Sequence, residues 1–138
     1  MGWLPKYAPP FGIAQQIVTA DYTLTTSEAD VTGASITVPK AGTYFAHFSA
    51  DCDIATGDTF VNIVLNVNGS NVGGSLWGKR GGAHQATSTV AAMWKITTTA
   101  ANQVVKIRAS KVGGGTSKIM ATHSVLTIEG PLAAALPS

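Results

Sequence analysis

The chain has 138 residues with nine basic and seven acidic side chains, a net charge of +2, and 12% charged against 45% apolar residues. Soluble domains usually hold about 25% charged residues, and so small and scattered a positive charge excludes an electrostatic nucleic-acid binder. Fifteen Gly, six Pro and 17 Thr argue against a helical bundle, and the single Cys52 excludes an intrachain disulfide framework.

Residues 1–12 are expected to form an extended arm. Pro5, Pro9 and Pro10 prevent both helix and central strand there. Yet the arm holds Trp3, Leu4, Tyr7 and Phe11, including three of the ten aromatic residues of the chain. A disordered leader is poor in aromatics, so these side chains are expected to have something to pack on. The start lacks the basic-then-apolar order of a secretory signal. Lys6 stands where a myristoylation motif after Gly2 wants Ser or Thr. No run of apolar residues is long enough for a spanning helix, and the chain is expected to engage no membrane.

After the arm, period-2 alternation dominates. Strands are expected at Ile13–Ala20, Ala34–Val38, Tyr44–Ile54, Phe60–Val67, Val72–Trp77, Thr87–Ile96, Val104–Ala109 and Ile119–Ile128. In the third, Tyr44, Ala46, Phe48, Ala50, Cys52 and Ile54 alternate with His47, Ser49, Asp51 and Asp53, one face dry and the other wet. In the fourth, Val61, Ile63, Leu65 and Val67 point inward and Asn62 and Asn66 outward, and Asn68-Gly69 supplies a type I′ hairpin turn. The segments Gly78–Gly82, Thr97–Asn102 and Lys111–Ser117 have loop composition. About eight short strands without a helical window imply an all-β fold, an eight-stranded antiparallel jelly-roll sandwich over residues 13–130 with a tail at 131–138.

No catalytic motif stands out. His47, His84 and His123 are too far apart in sequence to form a metal motif. The segment Asp51–Asp58 fails the calcium-loop pattern, which needs a fifth-position oxygen ligand, Gly at the sixth and Glu at the twelfth. Gly113–Lys118 lacks the spacing and following helix of a P-loop, and no Gly-x-Ser-x-Gly elbow is present. Cys52 falls on the inward face of its strand and reads as a small buried hydrophobe. Lys79, Arg80 and Lys111 put positive charge in loop segments and are the candidate surface-loop recognition residues. No enzyme activity, metal or other cofactor is expected.

The run Ile36-Thr-Val-Pro-Lys-Ala-Gly-Thr-Tyr-Phe-Ala-His-Phe-Ser49 resembles the hydrophobic-x-Val-Pro-x-x-Gly-x-Tyr-x-Phe segment of complement-type and tumour-necrosis-factor-like jelly rolls. Val38-Pro39, Gly42 and Tyr44 hold the matching places, and Phe45 and Phe48 flank the family's second aromatic. Ile63–Val72 is similar to the family's strand, Asn-Gly turn and returning Val. Ser124–Leu132 matches the closing strand without its usual aromatic. The resemblance covers residues 13–130 and implies recognition or structural roles in an assembly, typically a trimer.

That fold also occurs in phage fibre tips and in the cement, or decoration, proteins of tailed-phage capsids, and fold alone does not choose among them. A start at Met1 without a signal, a small domain without a stalk, few charges and an aromatic arm favour the cement reading. Interface cores are depleted in charge, and Trp and Tyr are enriched at hot spots. The chain is therefore expected to be a structural virion protein on the outer capsid surface, partnered by the major capsid protein and by copies of itself as trimer or dimer. Trp3, Leu4, Tyr7 and Phe11 are its expected contact anchors. The alternative is the receptor-binding head of a phage fibre or a complement-like recognition module. An isolated carbohydrate-binding sandwich would want aromatics on an exposed face.

Overall fold

A computed structural model describes residues 12–54, 59–80 and 86–132, of which 73–80 and 86–88 as backbone only. The strands are β1 (Gly12–Ile17), β2 (Tyr22–Thr23), β3 (Ala29–Val38), β4 (Gly42–Ile54), β5 (Thr59–Val67), β6 (Ser70–Arg80), β7 (Ala86–Thr98), β8 (Gln103–Val112), β9 (Lys118–Ile119) and β10 (Val125–Gly130). They form two antiparallel sheets, and no helix occurs among the described residues.

The first sheet has six strands, ordered β1-β10-β4-β9-β2 with β7 on the other side of β4. Along one edge of β4, Phe45–Ser49 pair with β10, whereas Cys52 and Asp53 pair with β9. Thus β10 and β9 lie end to end, and β1 and β2 lie end to end outside them. The sheet has four strand positions, two of them split. The second sheet, β3-β8-β5-β6, has four more. Ten strands therefore fill the eight positions of a jelly roll.

One shared kink causes both splits. Val18 donates to the Ser124 carbonyl at 2.9 Å, Thr122 donates back to the Val18 carbonyl at 2.6 Å, and Asp21 Oδ1 accepts from the Ala121 amide at 2.8 Å. Thr122 sits at φ +61°, a conformation that ends regular pairing. The single strand expected over Ile119–Ile128 is thus two, and His123 lies in the bend between them. The short β2 was not expected at all.

The core lies between the inner faces. Tyr44, Ala46, Phe48, Ala50, Cys52 and Ile54 of β4 meet Val61, Ile63 and Leu65 of β5 and Val105, Ile107 and Ala109 of β8, all buried. The alternation expected for β4 is the one observed. Each large side chain so buried contributes roughly 1.5–3 kcal/mol. Asn68 (φ +50°) and Gly69 (φ +90°) make the expected I′ turn. Asn66 faces outward as expected, opposite Lys106, but it is 2% exposed and not wet. Its Nδ2 donates to Asn71 Oδ1 at 2.9 Å and its Oδ1 accepts from the Gly69 amide at 3.1 Å. The hairpin consumes its polar groups locally, and that makes burial tolerable.

Candidate interaction surfaces

The outer face of the first sheet is assembled by strand register. Ile13, Glu129, Phe45 and Lys95 form one row across β1, β10, β4 and β7. Gln15, Thr127, His47 and Met93 form the next, and Ile17, Val125, Ser49 and Ala91 the third. These are the residues alternate to the buried set, so their side chains leave the core. Ile13 is 67% exposed, Met93 63% and Ile17 44%. Phe45 is half-buried and His47 exposed in the middle. Only Glu129 and Lys95 carry full charges in these three rows.

Further along the same face the chemistry turns polar. Asp51 accepts from Thr89 Oγ1 at 2.8 Å, and His123 Nδ1 stands 3.9 Å from its other carboxylate oxygen. His123 and Asp51 meet because the bend between β9 and β10 lies beside Asp51 along the edge of β4. No group of three or more His, Cys, Asp or Glu able to hold a metal occurs among the described residues. Residues 55–58 of the Asp51–Asp58 segment, like His84, lie outside them.

The second sheet carries an ion network on its outer face. Arg108 donates from Nε to Asp30 at 3.0 Å, from Nη1 to Glu28 Oε1 at 3.0 Å and from Nη2 to the Glu28 carbonyl at 3.1 Å. Lys106 donates to Asp30 at 2.8 Å, and Asn71 donates to Glu28 at 2.9 Å. The network ties the start of β3 to β8 and to the β5–β6 hairpin. The Lys106 hydrogen bond and the nearby Lys106 and Arg108 charges hold the Asp30 carboxyl below its ordinary value of 3.8, against a smaller effect of burial.

A cleft of about 290 Å³ opens between the start of β1 and the end of β3. Its walls are Ala14, Ile36, Val38, Tyr44, Ile128 and Pro131, with Gly12 at the lip. It exists because β1 brings Gly12 and Ala14 to inward positions. A Cβ on Gly12 would touch nothing within 4 Å, so the cleft is open beside Gly12.

The arm residues Trp3, Leu4, Tyr7 and Phe11 lie outside the described residues. Lys79 and Arg80, expected in a loop, belong by backbone to the end of β6, because pairing with β5 runs on to Thr59↔Arg80. Lys111, also expected in a loop, lies in β8 and pairs in register with Val61. Its ammonium donates to the Gly115 carbonyl, closing the glycine loop onto its own strand. Thr59 Oγ1 donates to the Gly114 carbonyl at 3.1 Å and holds the same loop. Cys52 is fully buried, and burial, with the neighbouring Asp51 charge, pushes its thiol up to about 12. The apolar outer residues Ile13, Ile17 and Met93 were not singled out from sequence. Their signal was present as apolar residues at positions alternate to the core set.

Comparison with solved structures places this geometry. The fold is a tumour-necrosis-factor-like jelly roll. The Eiger TNF of S. frugiperda matches with a TM-score of 0.62 at 11% identity, over 94% of this chain and 98% of that one. Murine APRIL matches at 0.57 and 6% identity, over 87% and 98%. A chain in the structure of infectious bursal disease virus Gx strain matches at 0.60 and 11% identity, over 95% of this chain and 34% of that one. No family model matches the sequence, and no curated protein sequence matches it. At these identities the likeness is one of fold.

Proposed function

We propose that the chain is a structural virion protein, a capsid cement protein that self-associates and binds the assembled lattice of the major capsid protein on its outer surface. The observation that carries this reading is the outer face of the first sheet. It presents Ile13, Ile17, Met93 and Phe45 in three rows that hold only two charged side chains. Such a face gains by being covered, and charge depletion with Met and aromatic content suits an interface core. The fold shared with a chain of a virus structure supports the same reading.

The function follows by linkage. A protein that binds only the assembled lattice stabilises that state by mass action. No covalent step, metal or cofactor is needed, and the chain acts as a binder and not as an enzyme. The arm anchors Trp3, Leu4, Tyr7 and Phe11 add contacts beyond the compact sandwich. Deleting residues 2–11 is expected to leave a β-type circular dichroism spectrum and to abolish co-sedimentation with expanded shells of the major capsid protein from the same genome. Undiminished co-sedimentation of the truncated chain refutes the role of the arm.

A further inference from the structure

We propose that the cleft beside β1 receives the N-terminal segment, residues 1–11, of a second copy of this chain. Two structural features make the site. The first is the cleft itself, about 290 Å³, walled by Ala14, Ile36, Val38, Ile128 and Pro131. The second is the free edge of β1. Val18 donates to Ser124, and the register continues through Gln16↔Leu126, Ala14↔Ile128 and Gly12↔Gly130. Even-numbered residues of β1 therefore spend their backbone groups on β10. The N–H and C=O groups of Ile13, Gln15 and Ile17 point away from it, and no other strand among the described residues pairs with that edge. All six residues of β1 are exposed. The strand carries no Lys, Pro or bulge to blunt it, so its edge is a template for an added strand.

The occupant follows from what precedes the described residues. Eleven residues stand before Gly12, and Gly12 forms the lip of the cleft. They carry Trp3, Leu4, Tyr7, Phe11 and three Pro against a single charge, Lys6. The cleft lining is likewise mostly apolar, with Lys40 its one charged residue. Extended, they reach about 36–40 Å, enough to cross to a neighbouring sandwich.

Folding back onto its own cleft is disfavoured at three points. A two-residue reversal at Phe11-Gly12 would close on Pro10, which has no N–H to give. It would need a positive φ, and Gly12 is in strand conformation and is not among the positive-φ glycines. A reversal closing on Gly12 is out of phase, because its backbone groups face β10. The Pro9-Pro10 pair has an intrinsic preference for extended backbone. These points weigh against a tight reversal onto the same domain and favour a neighbouring copy as the acceptor. The inference deepens the self-association named above and rests on that part of the reading alone. It requires no shell.

Cross-linking of full-length chains tests it. One preparation carries Lys6→Cys in the arm, and the other carries Thr37→Cys on the exposed rim of the cleft. Cys52 is buried with its thiol pushed up to about 12 and stays silent. After mixing and treatment with a short bismaleimide, a heterodimer joining the two variants is the expected product. Adding Ala14→Phe to the Thr37→Cys chain fills the cleft from its own strand and is expected to cut that product by about tenfold. A chain carrying both Cys that cross-links only within itself overturns the proposal in favour of an arm folded on its own domain. No cross-link in either arrangement, or one indifferent to Ala14→Phe, overturns it outright. Capsid co-sedimentation is read separately, so failure of the capsid reading and failure of arm exchange are distinguishable.

Discussion

Met93 offers the sharpest perturbation of the outer face. It sits opposite His47 in the central row and is 63% exposed. Burying an apolar side chain of this size is worth about 1.5–3 kcal/mol relative to full exposure. Covering what Met93 still shows to water therefore gains about 1–2 kcal/mol per copy, or roughly five- to thirtyfold in a dissociation constant. Met93→Ala is expected to weaken self-association by that factor, and Met93→Lys by more, since a covered ammonium has no partner there. Neither change touches the core, and surface substitutions of this kind stay within about 0.5 kcal/mol in stability. The assay is sedimentation velocity over a dilution series, with thermal unfolding of the dilute chain as control. Both variants dissociating at the wild-type concentration would refute the assignment of this face as the self-association interface.

Gly130 has φ +144°, and a Cβ there would stand 2.5 Å from Tyr44 Cδ2 and 2.9 Å from the Thr43 carbonyl. Gly130→Ala is expected to lower stability by about 1–3 kcal/mol in urea unfolding, and an unchanged midpoint contradicts that packing. The Cys52 thiol, buried and raised to about 12, is expected to resist a thiol reagent at neutral pH until the chain unfolds; rapid labelling of the native protein contradicts its burial. The folded-state value of Asp30 is depressed, so its contribution is present above the unfolded carboxylate value and is lost as pH falls through the lower folded one. Asp30→Asn is therefore expected to flatten the fall of the urea midpoint in the acid range below about pH 4, and a wild-type slope in the variant contradicts the network.

Most of the sandwich was legible because burial on one face imposes a period of two. In β4, Tyr44 through Ile54 announce the core directly, and Asn68-Gly69 announces its turn. What stayed hidden depends on contacts between distant segments. The split of Ile119–Ile128 into β9 and β10 needs Val18 and Asp21 to take the backbone of residues 121–124. Gly78–Arg80 and Lys111 read as loop because Gly and charge lower strand propensity. Pairing with Thr59–Val61 carries both strands further. Asn66 read as wet because its partner Asn71 lies across a hairpin. The outer-face rows and the cleft are products of register, which joins residues more than a hundred positions apart, such as Ile13 and Glu129. No local pattern contains them.

The decisive measurement is binding of the full-length chain to shells of the major capsid protein from the same genome, compared before and after expansion, by co-sedimentation and by the thermal midpoint of the shell. Saturable binding to expanded shells alone, with a raised shell midpoint, is the predicted result. Equal binding to both shell forms, or none to either at concentrations where the chain self-associates, contradicts a cement function.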